Sequence, residues 1–310
     1  MSRVITTFNR EEWLKDRKKG IGGSDAAAII GLNPYSTAYS VWADKLDLVP
    51  PKQDSEAMRQ GRDFEDIVAH RFMEATGKKV RRKNSIIRNP EYPFAHATVD
   101  RLVVGENAGL ECKTTSSLNL KKFRDGEYPD TYYCQCVHYM AVTGADRWYL
   151  AVLVLGKEFL WYTIERNQDE IDALMAEEKY FWETYVEQKK QPPVDGYKPT
   201  TEAINIIYKD TISNETPVDL FGRESLFENL ANVKAQIKEL KCVQEEYEQT
   251  IKTDLGENET GQIGRFLVSW KPQNRTTFDH KKFAADNPSV DLSDYYKIST
   301  SRILRIKEAK

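Results

Sequence analysis

HATVDRLVVGENAGLECKTTS, residues 96–116, reads as a β-hairpin with charges where a buried sheet is normally apolar. Two runs rich in Val, Leu and small residues flank GENAG, the small and polar cluster that joins strands. Side chains alternate between the two faces of a strand, so Glu111 and Lys113 share a face and Cys112 points the other way. A turn through GENAG brings Asp100 near Glu111. Charge taken out of water is costly unless it is paired or bound to a metal. Two arrangements satisfy that requirement. One is a cross-strand salt bridge among Asp100, Glu111 and Lys113. The other places a cation between the carboxylates and so relieves their repulsion. Oxygen-rich ligation of this kind suits Mg²⁺ or Mn²⁺. The lysine would then hold or help deprotonate a water, or neutralise charge on a phosphate.

The flanking segments predict helices. SEAMRQGRDFEDIVAHRFMEATG spaces Met58, Phe64, Ile67, Val68 and Phe72 at helical intervals and stops at Gly77. It carries Glu65, a further carboxylate ahead of the hairpin. TYYCQCVHYMAVTG, closed by Gly144, is a helix holding Gln135 among tyrosines. Between them and beyond, strands are expected over 78–116 and, joined at Gly156, over DRWYLAVLVLGKEFLWYTIER. The near-continuous apolar run in the last segment suits a sheet centre. QDEIDALMAEEKYFWETYVEQKK is a long helix running into Pro192 and Pro193.

Upstream, RKKGIGGSDAAAIIG opens with a glycine-rich turn, and Ser24 is a candidate N-cap for a helix from Asp25 to Ile30. Backbone N–H groups and Ser24 at a helix start, with Arg17 close by, make an anion site. No G-K-[ST] follows, which argues against a nucleotide-binding P-loop. TAYSVWADKLDLV is a second amphipathic helix, stopped by Pro50 and Pro51.

With 310 residues and 40% apolar composition, the chain can bury a sizeable core, but its formal net charge of −3 gives no global basic field. A nucleic-acid partner would therefore be held by local runs: KKVRRK at 78–83, KKFR at 121–124, and Lys15, Arg17, Lys18 and Lys19. The N-terminus lacks the apolar core of a signal peptide and no apolar run reaches bilayer length, so a cytoplasmic protein is expected. Cys112, Cys134, Cys136 and Cys242 contain one tight pair, which is too few for a paired-cysteine zinc site. Buried free thiols are the expectation. The Pro-Pro pair marks a boundary, giving a core over 1–195 and an accessory region over 196–310. In the latter, Leu226, Leu230, Val233, Ile237, Leu240, Val243, Tyr247, Ile251 and Leu255 form an amphipathic helix ended by Gly256. Strands in 264–279 and 295–307 would complete a small α+β appendage.

Taken in order, Trp13-x3-Arg17 with GGSDAAAIIG, GRDFE with Glu65, TVD with Asp100, LECK with Glu111 and Lys113, and YYCQCVHY with Gln135 resemble a known family. It is that of the phage lambda-type exonucleases, or YqaJ-like viral recombinases, of the PD-(D/E)xK nuclease superfamily. The resemblance covers roughly residues 10–190, and the remainder resembles the extra C-terminal region of longer members. It implies a restriction-endonuclease-like core, with a central mixed sheet flanked by helices. It further implies Mg²⁺ at Asp100, Glu111 and the Cys112 backbone carbonyl, assisted by Glu65, with two ions per site and Mn²⁺ as a substitute. Lys113 would orient or activate the attacking water and Gln135 would position it, while Arg17 and Ser24 would hold a terminal 5′-phosphate. The implied activity is a 5′-to-3′ exonuclease in the cytoplasm of a bacterial host. It releases 5′-phosphomonoesters from one strand of duplex DNA and leaves 3′ overhangs for a single-strand annealing protein. The implied assembly is a homo-oligomer, a ring trimer around DNA. Two rival readings use the same residues: an endonuclease cutting internal or branched DNA, and a non-catalytic DNA-end-binding scaffold.

Overall fold

The computed structural model describes residues 15–211 and 216–297, together with Leu304 and Ile306. The hairpin read over residues 96–116 forms only from Arg101 to Thr115, at the centre of a sheet, because the chain leaves strand geometry between Ala97 and Arg101. The chain enters at β1 (Val80–Arg82), sets β2 (Ile87–Arg88) and β3 (His96–Ala97) aside as a separate pair, and returns as β4 (Arg101–Val103) and β5 (Ala108–Thr115). β6 (Arg147–Val154) and β7 (Glu158–Glu165) complete a five-stranded sheet of order β1-β4-β5-β6-β7. Every neighbouring pair is antiparallel except β5 with β6, which run parallel from Ala108 beside Arg147 to Thr115 beside Val154. The sheet is therefore mixed, as the family resemblance implies. Gly105, at φ +83, makes the left-handed turn that closes the central hairpin.

Helices cover both faces. α1 (Gly23–Ile29), α2 (Ala38–Lys45), α3 (Glu56–Thr76), α4 (Asp130–Thr143) and α5 (Gln168–Phe181) precede or follow the strands they cover. α3 is fixed at both ends as its sequence requires: Ser55 accepts from the Met58 amide, and Gly77 at φ +72 ends it. Its buried Val68, Ala69 and Phe72 pack on Val103, Ala108, Leu110, Tyr149 and Ala151. On the opposite face α1, α2, α4 and α5 enclose the larger core, which reaches Trp148, Leu150 and Val152 on β6. Strand alternation thus sends Leu110 and Cys112 into one core and leaves Glu111 and Lys113 on the α4 side. Gly109 shares that second side, where a Cβ would lie 2.2 Å from the Trp148 ring.

Three local expectations are corrected. α1 begins earlier than Asp25 and its N-cap is Gly22, whose amide donates to Asp25 at 3.1 Å; Ser24 sits exposed inside the first turn. Gly22 is extended and Asp25 reaches back three residues to its amide, which starts the helix ahead of Ser24. The helix running to Pro192 leaves α-helical winding at Trp182 and closes with wider π-type turns through Glu187. Of the thiols, Cys134 and Cys136 are buried, but Cys112 is half-buried and Cys242 exposed; all four are free.

The chain divides into units Met1–Asp210 and Thr211–Lys310, so the division falls after Asp210 and not at the Pro-Pro pair. The cause is α6 (Lys198–Ile207), which follows those prolines yet returns to α2, with Thr200 hydrogen-bonded to Thr37 at 2.8 Å and both buried. The second unit contains α7 (Glu224–Leu255), ended at Gly256. A hairpin of β8 (Thr260–Ile263) with β9 (Phe266–Ser269) follows, then α8 (His280–Asp286). The hairpin thus lies slightly ahead of the expected 264–279 strand, because the turn falls at Gly264, φ +53. The expected strand over 295–307 falls largely outside the described residues. No described helix is long and apolar enough to cross a membrane.

Candidate active site

The β4–β5 register pairs Arg101 with Leu110, which sets Asp100 opposite Glu111 across the hairpin. Asp100 Oδ2 accepts the Cys112 amide at 2.8 Å. Glu111 is 3% exposed, and its Oε1 takes the Lys113 ammonium at 2.6 Å and the Gln135 side-chain amide at 2.8 Å. Lys113 also donates to Gln135 Oε1 at 2.9 Å and lies 4.9 Å from the centre of the Tyr132 ring. Gln135 completes its valence by donating to the Tyr139 hydroxyl at 2.7 Å. Asp100 from the bend just before β4, Glu111 and Lys113 from β5, and Gln135 from α4 therefore form one connected polar cluster.

Its electrostatics are unbalanced. Burial pushes the Asp100 carboxyl well above the usual range, and the Glu111 and Glu65 carboxylates push in the same direction. Burial would lower the Lys113 ammonium, but facing Glu111 and Asp100 it is held above the ordinary lysine range. The second Glu111 oxygen, Oε2, is buried with no protein partner. An orphaned carboxylate oxygen beside a crowded carboxyl pair is what a bound hard cation would relieve, so the residues fit a divalent ion. Among the described residues no three His, Cys, Asp or Glu side chains by themselves make a metal cage. The oxygens that would face such an ion are those of the Asp100 and Glu111 carboxylates and of the Cys112 carbonyl, which follows Glu111 on β5. Burial pushes the Cys112 thiol far up, with Asp100 and Glu111 adding to it, so its sulfur stays protonated.

Glu65 reaches the cluster from α3, but through a residue that sequence reasoning missed. Arg101, 4% exposed, binds Glu65, donates to Asp66 at 2.5 Å, and donates to the Asp100 carbonyl oxygen at 2.6 Å. A cation within an apolar strand, next to Asp100 in VDRL, was the available signal.

Arg17 and Ser24 also come together, with Arg17 Nη2 donating to Ser24 Oγ at 2.8 Å. Trp13, the first residue of that motif, lies outside the described residues. Behind the pair, Lys45 donates to Asp25 Oδ2 at 2.7 Å and to the Arg17 carbonyl at 3.3 Å. Burial would raise the Asp25 carboxyl, but Lys45 and Arg17 hold it down at about 2. Gly23 links this group to the first cluster. A Cβ there would stand 2.6 Å from the Tyr139 ring and 3.1 Å from Gln135 Cγ, so only glycine allows α1 to close on α4. The Arg17–Ser24 pair accordingly sits one residue from a contact with Gln135.

Beneath both lies a buried pair that the sequence did not announce. His138 Nδ1 meets Glu178 at 2.8 Å and Nε2 meets the His96 carbonyl at 2.9 Å, all buried. Both ring nitrogens face oxygens, and burial raises the Glu178 carboxyl, so the buried pair holds one proton between them. Burial would lower its pKa; Glu178 and the His96 carbonyl raise it above the usual value. The basic runs are partly consumed internally, since Lys78 pairs with Glu106, Arg82 with Asp66 and Lys18 with Asp47 at 2.5 Å.

The sequence model of the YqaJ-like viral recombinase domain matches residues 12–146. The uncharacterized protein YqaJ of Bacillus subtilis (strain 168) is 42% identical over 288 residues, spanning 91% of this chain and 90% of its own. The crystal structure of an alkaline exonuclease, LHK-Exo from Laribacter hongkongensis, superposes with a TM-score of 0.50 at 20% identity over 58% of this chain and 93% of that one. LHK-Exo in complex with dAMP gives 0.50 at 21%, covering 58% and 96%. These likenesses show a shared fold over somewhat more than half of the chain.

Proposed function

The chain belongs to the YqaJ-like viral recombinase family, and on that footing we propose that it is a metal-dependent nuclease degrading one strand of linear duplex DNA from a 5′-phosphorylated end. The observation that supports this reading most directly is the Gly23 contact. It places the arginine–serine pair Arg17–Ser24 beside the polar cluster of Asp100, Glu111, Lys113 and Gln135. A terminal phosphate held by Arg17 and Ser24 would leave the next phosphodiester within reach of the carboxylates.

The Asp100 and Glu111 carboxylates and the Cys112 carbonyl would hold Mg²⁺ or Mn²⁺, one ion or two, with Glu65 assisting through its reach to Arg101. Bound there, the metal would supply Lewis-acid charge at the phosphate and a more acidic water. The chain's own residues do the rest. Lys113, kept as an ammonium by Glu111 and Asp100, acts as a donor that orients the attacking water and stabilises charge on the phosphate; in that state it is not the base. Gln135 fixes Lys113 and Glu111 relative to each other. Attack at phosphorus breaks the P–O3′ bond, leaving a 3′-hydroxyl and a 5′-phosphomonoester. The remaining 3′ overhang would serve recombination through a single-strand annealing protein in the bacterial cytoplasm. A ring-shaped homo-oligomer would keep the enzyme on its duplex.

The test uses a linear duplex phosphorylated at one 5′ end, each strand labelled separately, beside a closed circle. Loss of the 5′-phosphorylated strand in Mg²⁺, with the circle intact and no loss in chelator, is the expected result. Cutting of the circle would replace the proposal with an endonuclease, and tight end binding without product would replace it with a scaffold.

A further inference from the structure

We propose that Arg101 is a positioning residue for the metal: its guanidinium holds Asp100 and Glu65 in the relative places an ion needs, so that loosening it weakens metal binding before it slows the chemistry. The inference rests on reading the Asp100–Glu111 cluster as the metal site. Asp100 is not held by the sheet ladder. β4 begins at Arg101 and its register with β5 starts at the pair Arg101–Leu110, so Asp100 stands in the bend one residue outside it. It is held at both ends instead. Its carboxylate accepts the Cys112 amide at 2.8 Å, and its carbonyl oxygen accepts Arg101 Nη1 at 2.6 Å.

The same Nη1 binds Glu65, and Nη2 donates to Asp66 at 2.5 Å. Glu65 and Asp66 are successive residues of α3, whereas Asp100 and Arg101 belong to the hairpin end. The guanidinium therefore ties the helix that brings Glu65 to the bend that carries Asp100. Asp66 is backed in turn by Arg82 of β1. Arginine suits the task because its donors lie in one rigid plane and its charge is permanent. The Arg101 side chain is 5% exposed, so its acceptors and not water keep it in place. It is the Asp100 main chain that Arg101 grips. A lysine there would keep the charge but offer a point charge on a flexible stem, unable to hold two carboxylates and a carbonyl in one plane.

The experiment titrates Mg²⁺ into the chelator-stripped, DNA-free full chain by calorimetry, and reads kcat on a 5′-phosphorylated duplex at saturating Mg²⁺. Groups that orient metal-binding side chains typically carry about 10–100-fold of metal affinity. Arg101→Lys is therefore expected to weaken Mg²⁺ binding at least about tenfold, with kcat at saturating Mg²⁺ within about threefold of wild type. Asp66→Ala removes the Nη2 acceptor from an exposed helix position, leaves Glu65 and Asp100 in place, and should weaken binding about threefold. That variant decides the matter even where Arg101→Lys does not fold. Asp63→Ala is the control for charge alone, since it removes an exposed acid of the same helix that pairs with Arg59 at 3.7 Å, and it should bind Mg²⁺ as wild type does. Wild-type affinity in a folded Arg101→Lys, a kcat that falls as far as the affinity, or equal losses in Asp66→Ala and Asp63→Ala would overturn the role of Arg101. Wild-type protein that takes up no Mg²⁺ and cuts without it would overturn the metal site itself, and the inference with it.

Discussion

Replacing Gln135 with leucine tests whether the amide is the brace of the catalytic cluster. The side chain is 8% exposed and makes three hydrogen bonds, of which those to Glu111 and Lys113 involve charged groups. Bonds to charged groups contribute about 1.5–3 kcal/mol each. Leucine also leaves the buried Tyr139 hydroxyl oxygen without the N–H donor that Gln135 supplies, at about 1–3 kcal/mol. The Lys113–Glu111 contact at 2.6 Å survives, and leucine recovers about 1.5–3 kcal/mol by burial. At their midpoints these terms sum to a loss of about 4 kcal/mol, a fall in Tm of roughly 8–16 °C for a unit of this size. Turnover should fall about 10²-fold, because the water-orienting ammonium is held on one side only. KM for duplex ends should stay near wild type, since Arg17 and Ser24 are untouched. Thermal melts in chelator and single-turnover digestion read the two effects separately. A variant that melts with wild type and turns over within about threefold of it would refute the brace.

Asp100→Ala and Glu111→Ala should each lower hydrolysis at least about 10³-fold while duplex ends still bind, as read by gel shift beside a cleavage assay. Adding Mg²⁺ to chelator-treated wild type should raise its Tm by ligand linkage, and Asp100→Ala should show no such rise. Gly109→Ala forces a Cβ to 2.2 Å from the Trp148 ring, which should cost about 3 kcal/mol; Trp148→Leu in the same chain should recover part of the loss in denaturant melts. The raised His138 pKa gives a pH dependence of defined sign. Its contribution is complete below the ordinary histidine value of 6.5 and is lost as pH climbs through the higher folded value. Wild-type stability should therefore decline between about 6.5 and that higher value, by at most about 1.4 kcal/mol per pH unit, and level off above it. The paired change His138→Gln with Glu178→Gln should flatten the slope.

What could be seen in the sequence was what neighbouring residues decide. GENAG between apolar runs, Ser55 and Gly77 around α3, and Gly144 after α4 are local signals, and the elements fell where those signals put them. Glu111 and Lys113 share a face because two residues separate them in a strand. Ser24 was misassigned as a cap because the helix starts two residues earlier, where Asp25 reaches back to the Gly22 amide, and serine and glycine both serve as caps. Arg101, Lys45 and the His138–Glu178 pair were hidden for a different reason. Each is a charge whose partner lies 20 or more residues away in sequence, so only the packing of α2, α3 and α5 onto the sheet reveals why it is there. The division after Asp210 was missed for the same cause, since Thr37 and Thr200 lie 163 residues apart.

The parallel pairing of β5 with β6 also sets a timetable. Glu111 lies beside Leu150 in that pairing, and Gln135 arrives on the crossover between the two strands. A chain emerging from a ribosome exposes the β4–β5 hairpin first and must wait for the residues up to Val154 before its open edge is filled, a few seconds at about 5–20 residues per second. During that interval Asp100 and Glu111 are present while Gln135 and the covering strand are not in place. Interrupted synthesis before β6 therefore yields hairpin without brace: a fragment prone to stick by its unpaired edge, but not one able to cut the DNA of the cell that is making it.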